Sequence, residues 1–433
     1  MAQVLCRLGE GTGPKGPENG EAPQRLRSQG HPLPTRSITA CVVTPGPDGR
    51  PKKSKRVFGT MTRDILELSD WLYEAGCTHV AMESTGVYWK PVFNILEGRF
   101  EVVLVNAKEV KNVPGRKTDM CDAEWLVDLL RHGLVRGSFI PPETIRVLRD
   151  LTRYRTTLIR QKASEVNRLQ KVLEDANIKL ASVATDISGV SARAMLDELL
   201  AGQKDVAAIA DLAKGRLRYK IPELQKALEG CLKPHHKVLI SRILAHIDYL
   251  DETIADLDAE IEEQMRPFVE IQERLDEIPG VDKRAAQVIV AETGVDMERF
   301  PSDGHLASWA GMCPGNNESA GKRKSGRTTR GSPWLKSALV QCAHAAGRTK
   351  NTYLSALYRR LLSRKGPKKA AVAVGHTILV IVYHIIKTGG RYRDLGPDYF
   401  DRLDRNAVAR RLKNRLEAIG FQVEIRDLEA SVA

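Results

Sequence analysis

Apolar residues between positions 38 and 105 follow strand-like and helix-like periods in turn. The runs ITACVV and KSKRVFGT, separated by a turn at residues 46–49, predict a β-hairpin. The pattern after the hairpin predicts a helix, a strand, a second helix and a second strand, at residues 63–75, 78–82, 87–96 and 100–105. This alternation predicts an α/β sheet domain over residues 37–140, because Pro141 and Pro142 then interrupt the chain.

A helical region is predicted over residues 141–270. Apolar residues recur at three-to-four spacing over residues 143–180, and a second long helix is predicted over 235–265. We expect the two helices to pair as antiparallel arms, within one subunit or between subunits. The first arm is strongly basic, which favours a polyanionic partner over a solvated polar face. Its cations are Arg146, Arg149, Arg153, Arg155, Arg160, Lys162, Arg168 and Lys171.

The ends of the chain differ in composition from its middle. Residues 1–36 are rich in glycine and proline and lack periodicity, so we expect them to be disordered. Residues 271–395 predict a mostly α C-terminal domain, followed by a tail over 396–433. No Asp or Glu occurs between Ser319 and Arg393, which is typical of a phosphate-binding domain.

Composition and charge narrow the class of protein. The formal net charge is +13 and the sequence pI is near 9.4, which favours a nucleic-acid partner. No apolar leader segment begins the chain, and the apolar run at 370–386 is short and broken by Gly375, His376 and His384. We therefore expect a cytoplasmic protein with a buried helix at 370–386 and no membrane span.

The cysteines carry little functional information. All seven are scattered without CxxC spacing, which indicates neither a disulfide framework nor a zinc ribbon. Cys231 lies close to His235 and His236, but a short loop with two surface histidines explains this group better than a metal cluster.

Three carboxylates form a candidate metal site. Glu83 ends the predicted strand THVAM, at the edge of an α/β sheet where ligands commonly bind. Asp119 and Asp122 lie three residues apart at the start of a predicted helix, although Thr118 and these acids are also typical of an ordinary helix N-terminus. Together the three carboxylates suit Mg²⁺, which can promote phosphodiester displacement.

Two further segments predict contacts with nucleic acid. The stretch LDEIPGVDKRAAQVIVAE has the form of a helix-hairpin-helix, in which Gly280 would let backbone amides approach a phosphate. Ser319 lies in a glycine- and asparagine-rich loop, and cations follow it directly. A serine among cations is a candidate nucleophile for a phosphodiester, against the alternative of an ordinary loop serine. The cations are Lys322, Arg323, Lys324, Arg327 and Arg330.

These segments together resemble the DEDD transposases of insertion sequence family one-hundred-and-ten, which are related to the Piv and MooV DNA invertases. The resemblance runs from Ser37 to Leu395. It rests on AMESTG around Glu83, KTDMCDAEWL around Asp119 and Asp122, the IPGV hairpin, and WAGMCPGNNESAGKRKSG around Ser319.

The resemblance implies a RuvC-like, ribonuclease-H-type N-terminal domain joined by a coiled coil to a C-terminal transposase domain. It implies that the carboxylates bind magnesium and that a serine matching Ser319 attacks DNA to form a covalent phosphoserine. It also implies a homodimer or homotetramer with shared active sites, and a structured guide RNA that pairs with donor and target DNA.

The N-terminus departs from the family pattern. Family members begin with a strand bearing a GIDVHK-like motif, whereas QGHPLPTR precedes Ser37 here and Pro32 stands about where the first catalytic aspartate belongs. Ser319 is followed by Ala320, where the family more often has glycine. We expect this copy to be impaired. Two other functions remain open: a RuvC-like junction nuclease that needs no serine, and a nucleic-acid-binding remnant without chemistry.

Overall fold

The computed structural model describes residues 2–9, 37–45, 51–84, 86–105, 132, 137–315, 317–319, 322–325 and 327–425. The chain forms two compact units, Met1–Ile140 and Pro141–Ala433. The first unit contains the main sheet, and the second is mostly helical. The second unit holds both the paired long helices and the C-terminal helices.

The N-terminal unit is built on a five-stranded mixed sheet in the order β3-β2-β1-β4-β5. Strands β1 to β3 pair antiparallel, whereas β1, β4 and β5 run parallel. The strands are β1 (Ala2–Gly9), β2 (Ser37–Pro45), β3 (Pro51–Phe58), β4 (Cys77–Glu83) and β5 (Glu101–Val105). The expected hairpin and the expected strands are confirmed, while the turn at 46–49 lies outside the described residues.

The N-terminal strand contradicts the expected disorder of residues 1–36 in part. Residues Ala2–Gly9 form β1 at the centre of the sheet, antiparallel to β2 and parallel to β4. The expectation failed because it weighed only local composition, whereas β1 gains backbone hydrogen bonds from two strands that are distant in sequence. Residues 10–36 lie outside the described part of the chain.

Two helices cover one face of this sheet. They are α1 (Thr62–Glu74) and α2 (Trp89–Leu96). Ile65, Leu68 and Leu72 recur at helical spacing along α1 and are buried against Val80 and Met82, which alternate along β4. This packing fixes the end of β4, where Glu83 lies.

Two long helices form an antiparallel pair within one chain. They are α3 (Glu143–Asp175) and α8 (Pro234–Met265). Cross-helix contacts establish the direction, because Arg155 bonds to Asp258 at 2.7 Å while Asp175 lies 2.8 Å from His236 at the other end of the pair. The predicted antiparallel arms are confirmed, and the pairing is intramolecular.

Short helices close the Asp175 end of this pair. They are α4 (Leu180–Val183), α5 (Val190–Ala201), α6 (Val206–Ala210) and α7 (Ile221–Leu228). One buried cluster lies there and includes Leu173 of α3, Leu196 of α5, Leu224 of α7 and Ile240 of α8. The cluster gives the far end of the long pair a core of its own.

Several cations on α3 bond to acceptors of the same chain. Arg155 is 2% exposed and bonds to Asp258 and Gln287, each at 2.7 Å. Burial lowers the pKa of Arg155, and its hydrogen bond to Asp258 opposes that shift. Lys162 pairs with Asp251. The polyanion partner inferred from this arm therefore loses part of its support, because the inference counted cations without seeing their carboxylate partners.

The C-terminal part of the second unit consists of eight described helices. They are α9 (Val269–Asp276), α10 (Lys283–Thr293), α11 (Asp303–Trp309), α12 (Pro333–Arg348), α13 (Tyr353–Lys365), α14 (Pro367–Thr388), α15 (Tyr399–Leu403) and α16 (Arg405–Ala418). Helices α9, α11, α12 and α13 contact the apolar helix α14. By length and composition α14 could cross a membrane. Its residues Val374, Ile378 and Val382 are nevertheless fully buried, which agrees with the expected core helix.

Candidate active site and nucleic-acid interface

Glu83 is the last residue of β4, at the carboxyl end of a strand that lies between β1 and β5. Its backbone is in register with Val105, and the next amide, Ser84 N, donates to the Val105 carbonyl at 2.9 Å. The Glu83 side chain is partly buried, and no described residue forms a hydrogen bond or ion pair with its carboxylate.

The other two carboxylates of the expected set, Asp119 and Asp122, lie outside the described residues. Strand β1 borders β4, with Cys6 in register with Met82, yet its segment AQVLCRLG contains no acidic residue. Thus Glu83 is the one member of the expected set that the described residues place, and the neighbouring strand contributes no second carboxylate.

Ser319 is the last residue of a short strand rather than part of an open loop. Strand β6 (Asn317–Ser319) pairs antiparallel with β7 (Lys322–Ser325), and the register places Ser319 opposite Lys322. The register shifts between Asn317 and Glu318. Consequently the serine and the first three predicted cations lie in one β-hairpin, which we call the serine hairpin.

The base of the serine hairpin is closed by backbone contacts. Gly315 N donates to the Arg327 carbonyl at 2.8 Å, and Pro314 forms an isolated bridge with Thr328. Gly311 has a φ of +69°, and a Cβ on it would lie 2.7 Å from Gly331 N. Glycine is required at Gly311 for both reasons.

A lysine ties this base to the helix that follows. Lys336 on α12 donates to the Thr328 hydroxyl and to the Gly311 carbonyl, the latter at 3.4 Å. Sequence reasoning missed Lys336, because only the fold brings its partners on the two sides of the hairpin base, Gly311 and Thr328, close to α12. The sequence signal that could have identified Lys336 is its position one helical turn after Ser332, the N-cap of α12, and shortly after the basic cluster.

The remaining predicted cations, Arg327 and Arg330, follow β7 and are exposed. Both lie before α12, which begins at Pro333. Five predicted cations therefore lie on the chain between Ser319 and α12, and three of them belong to the serine hairpin.

The structure gives Gly280 a packing role. It lies in the connection between α9 and α10 with a φ of +87°, and a Cβ there would lie 2.4 Å from Ala346 N and Cys342 O of α12. The N-terminus of α10 is already capped by Asp282, whose carboxylate accepts from Ala285 N at 2.7 Å. That carboxylate repels a phosphate, so the phosphate contact expected of Gly280 stays a prediction.

A buried carboxylate organises the start of α12. Glu292 is 1% exposed and forms a two-pronged pair with Arg153 at 2.6 and 2.9 Å, while Ser332 donates to it at 2.8 Å. Arg149 donates to the Glu292 carbonyl at 2.7 Å. Burial lowers the pKa of Arg149, and Glu292 opposes that shift. This network joins α3, α10 and α12 and uses the Ser332 hydroxyl structurally.

The histidines set aside as surface residues behave differently from one another. His236 is 2% exposed and its Nε2 lies 2.8 Å from Asp175, while Nδ1 accepts from Lys233 N at 3.3 Å. His235 completes a group with a possible metal-binding geometry. Nitrogen-rich ligands suit zinc better than magnesium, and hydrogen bonds already account for both His236 nitrogens.

Comparisons with known proteins match both regions that carry the candidate residues. A DEDD transposase family model of the IS110 type, described as "Transposase", matches residues 35–178, which include Glu83, Asp119 and Asp122. A second model, described as "Transposase IS116/IS110/IS902 family", matches residues 272–359, which include Gly280 and Ser319. Together the two models cover more than half of the chain. Strand β1 precedes the first match.

A curated relative agrees with these matches. The chain is 35% identical over 131 residues to "Putative transposase y4pF/y4sB" of Sinorhizobium fredii (strain NBRC 101917 / NGR234). The aligned region is 29% of this chain and 33% of the relative, so the chain spans about a third of that relative's length.

Proposed function

Because the chain belongs to the IS110 family of transposases, we propose that it cuts and rejoins DNA as the recombinase of an insertion sequence. The observation that carries this proposal is the serine hairpin, which holds a candidate nucleophile and a cluster of cations inside a transposase-matched segment. Serine can attack a phosphodiester, and cations can stabilise the charge that develops on it.

In the proposed reaction the Ser319 oxygen bonds to the scissile phosphorus while the bond from phosphorus to the leaving DNA oxygen breaks. The serine proton is given up, and the leaving oxygen receives a proton. A DNA hydroxyl then displaces Ser319 in the reverse sense and joins the new strand. In the proposed reaction Lys322, Arg323 and Lys324 hold the phosphate, and Lys336 bonds to the base of the hairpin that carries them.

A metal site belongs to the proposal in the sheet unit. Glu83, Asp119 and Asp122 would hold Mg²⁺, since all three offer the oxygen ligands that this ion prefers. The position of Glu83 at the carboxyl end of β4, where ligands commonly bind in α/β sheets, supports this assignment. When bound, Mg²⁺ stabilises charge on phosphate oxygens. The order of the mixed sheet supports a RuvC-like domain around this site.

Partners follow from the family membership. We propose DNA as the substrate and a structured guide RNA as the specificity component, bound by a cytoplasmic homodimer or homotetramer. The acid-free stretch from Ser319 to Arg393 supports a polyanionic partner of either kind.

Substitution of the aspartates tests the metal site. We expect Asp119→Asn and Asp122→Asn each to lower Mg²⁺-dependent strand cleavage steeply while changing the unfolding free energy by about 1 kcal/mol or less. Cleavage assays across a magnesium titration, beside thermal melts, give both numbers. A capping role alone would reduce stability and leave cleavage and its magnesium dependence unchanged.

One observation favours a second candidate, a DNA-binding protein without cleavage activity. Strand β1 occupies the centre of the sheet beside β4 and carries no carboxylate, whereas the family strand carries an aspartate. Replacing residues 2–9 by a GIDVHK-bearing strand tests this candidate. Strand transfer by the chimera but not by the original chain favours the impaired copy, and equal activity contradicts it.

A further inference from the structure

A groove lies beside the base of the serine hairpin. It has a volume of about 1110 Å³ and is bounded by the hairpin base, by α13 and by α14. Pro314 and Thr328, the paired residues of the hairpin base, line one side. Leu361 of α13 and Val372 of α14 line the opposite side, and both are only partly buried. Leu361 and Val372 thus form an apolar floor, and the hairpin base on the other side adjoins the chain that leads to Ser319.

The rim of this groove is strongly basic. Arg364 and Lys365 end α13, Gly366 turns the chain with a φ of +77°, and Lys368 and Lys369 begin α14. All four cations are exposed and line the groove. Among the described residues, none of the four has a carboxylate partner within ion-pairing distance. Four uncompensated charges within six residues attract a polyanion.

Helix stability explains only half of this cluster. Cations in the last turn of a helix interact favourably with its dipole, which accounts for Arg364 and Lys365. Lys368 and Lys369 lie in the first turn of α14, where the dipole disfavours positive charge. The N-cap is Gly366, which offers no side chain to the first-turn amides. The two lysines and these amides therefore present positive potential that an anion would neutralise.

We propose that this groove binds the phosphodiester backbone of the DNA strand that leads to Ser319. The cations and the amides of α14 would contact phosphates, while the apolar floor would contact the sugar and base of an unstacked nucleotide. The proposal rests on the proposed function, because proximity to the serine hairpin is what selects DNA over the guide RNA. All four cations of the groove lie beyond residue 359, where the second family match ends.

Charge removal at the start of α14 tests the groove without threatening the fold. Lys368→Ala with Lys369→Ala removes two cations from a helix N-terminus, so we expect an unchanged or higher melting temperature. If both lysines contact phosphates, DNA should bind about 25- to 60-fold more weakly at ~0.1 M salt, and the slope of log K against log salt should become shallower by about 1.4 to 1.8. Fluorescence anisotropy with labelled single-stranded and duplex DNA of random sequence measures both.

The matched control is Lys204→Ala with Lys226→Ala, which removes the same charge from exposed positions among the helices at the far end of α3 and α8. We expect this control to bind DNA within about twofold of the original chain and to keep its salt slope. Equal losses in the groove variant and the control would reduce the effect to net charge and overturn the proposal. Unchanged binding in the groove variant would also overturn it.

Two further readouts separate this inference from the proposed function. Labelled RNA of the same sequence is titrated in parallel. If the groove variant loses affinity for RNA but not for DNA, the groove belongs to the guide RNA and the DNA assignment is contradicted. Covalent attachment to DNA is measured on the original chain and on the chimera with the GIDVHK-bearing strand. If either attaches but the groove variant binds normally, the groove fails and the function stands. If neither attaches while the groove variant loses DNA binding, the function fails and the groove stands.

Discussion

Arg155→Ala is expected to destabilise the C-terminal unit strongly. The guanidinium is 2% exposed and its two hydrogen-bond acceptors, Asp258 and Gln287, have 25% and 2% exposure. Asp258 keeps a second partner in Arg284, but the Gln287 oxygen loses the bond it makes to Arg155. Leaving that buried acceptor without its donor costs about 1–3 kcal/mol, and the cavity left by the truncated side chain adds to the loss. At about 2 °C per kcal/mol for a unit of this size, the melting temperature should fall by at least roughly 2–6 °C.

The control on the same helix is Lys162→Ala. Lys162 pairs with Asp251 at the surface, with 31% and 49% exposure, and such pairs contribute about 1 kcal/mol or less. Urea unfolding followed by far-ultraviolet circular dichroism measures both variants, and DNA anisotropy is recorded beside it. A loss below about 1 kcal/mol for Arg155→Ala would refute the reasoning, as would weakened DNA binding at unchanged stability.

Two other predictions follow from close packing and burial. Gly280→Ala should lower the free energy of unfolding in urea by about 2–4 kcal/mol, because the φ of +87° disfavours alanine and the new Cβ would overlap the α12 backbone. A stable variant with weakened DNA binding would instead support the phosphate contact of Gly280. Burial raises the pKa of Cys77 and of Cys342 to about 12, so near pH 8 iodoacetamide should modify the exposed Cys231 long before either of them. Peptide mass spectrometry measures the order of modification, and early labelling of Cys342 would contradict its burial in the core.

Local sequence patterns predicted the helices and strands whose apolar residues recur with a regular period. The apolar spacing along α3 and α8 gave both helices and their antiparallel pairing, and alternation gave β4 and β5. Strand β1 was missed because its hydrogen bonds come from β2 and β4, which the local composition does not reveal. The roles of buried cations were missed for the same reason, since Arg155 and Asp258 meet across 103 positions of sequence.

The candidate site was predicted in part. The sequence predicted that Glu83 ends β4, because the length of an apolar strand and the turn after it are local features. The sequence showed the cations after Ser319 but not the strand pairing that puts Ser319 opposite Lys322, since β6 and β7 are too short for a clear alternation. The basic groove was also missed, because it forms only when α13 and α14 meet the hairpin base. Its local signal was the segment RKGPKK within the acid-free stretch.

Covalent trapping at Ser319 tests the central claim most directly. The chain is incubated with Mg²⁺, labelled DNA carrying the element's end and the flanking RNA, and the denatured products are separated and mapped by mass spectrometry. The account predicts a DNA adduct on Ser319 that is lost in Ser319→Ala and kept in Ser325→Ala, while DNA binding stays nearly unchanged in both. If the original chain gives too little product, the chimera with the GIDVHK-bearing strand is used. An adduct of normal yield in Ser319→Ala, or strand cleavage without any adduct, would contradict the account.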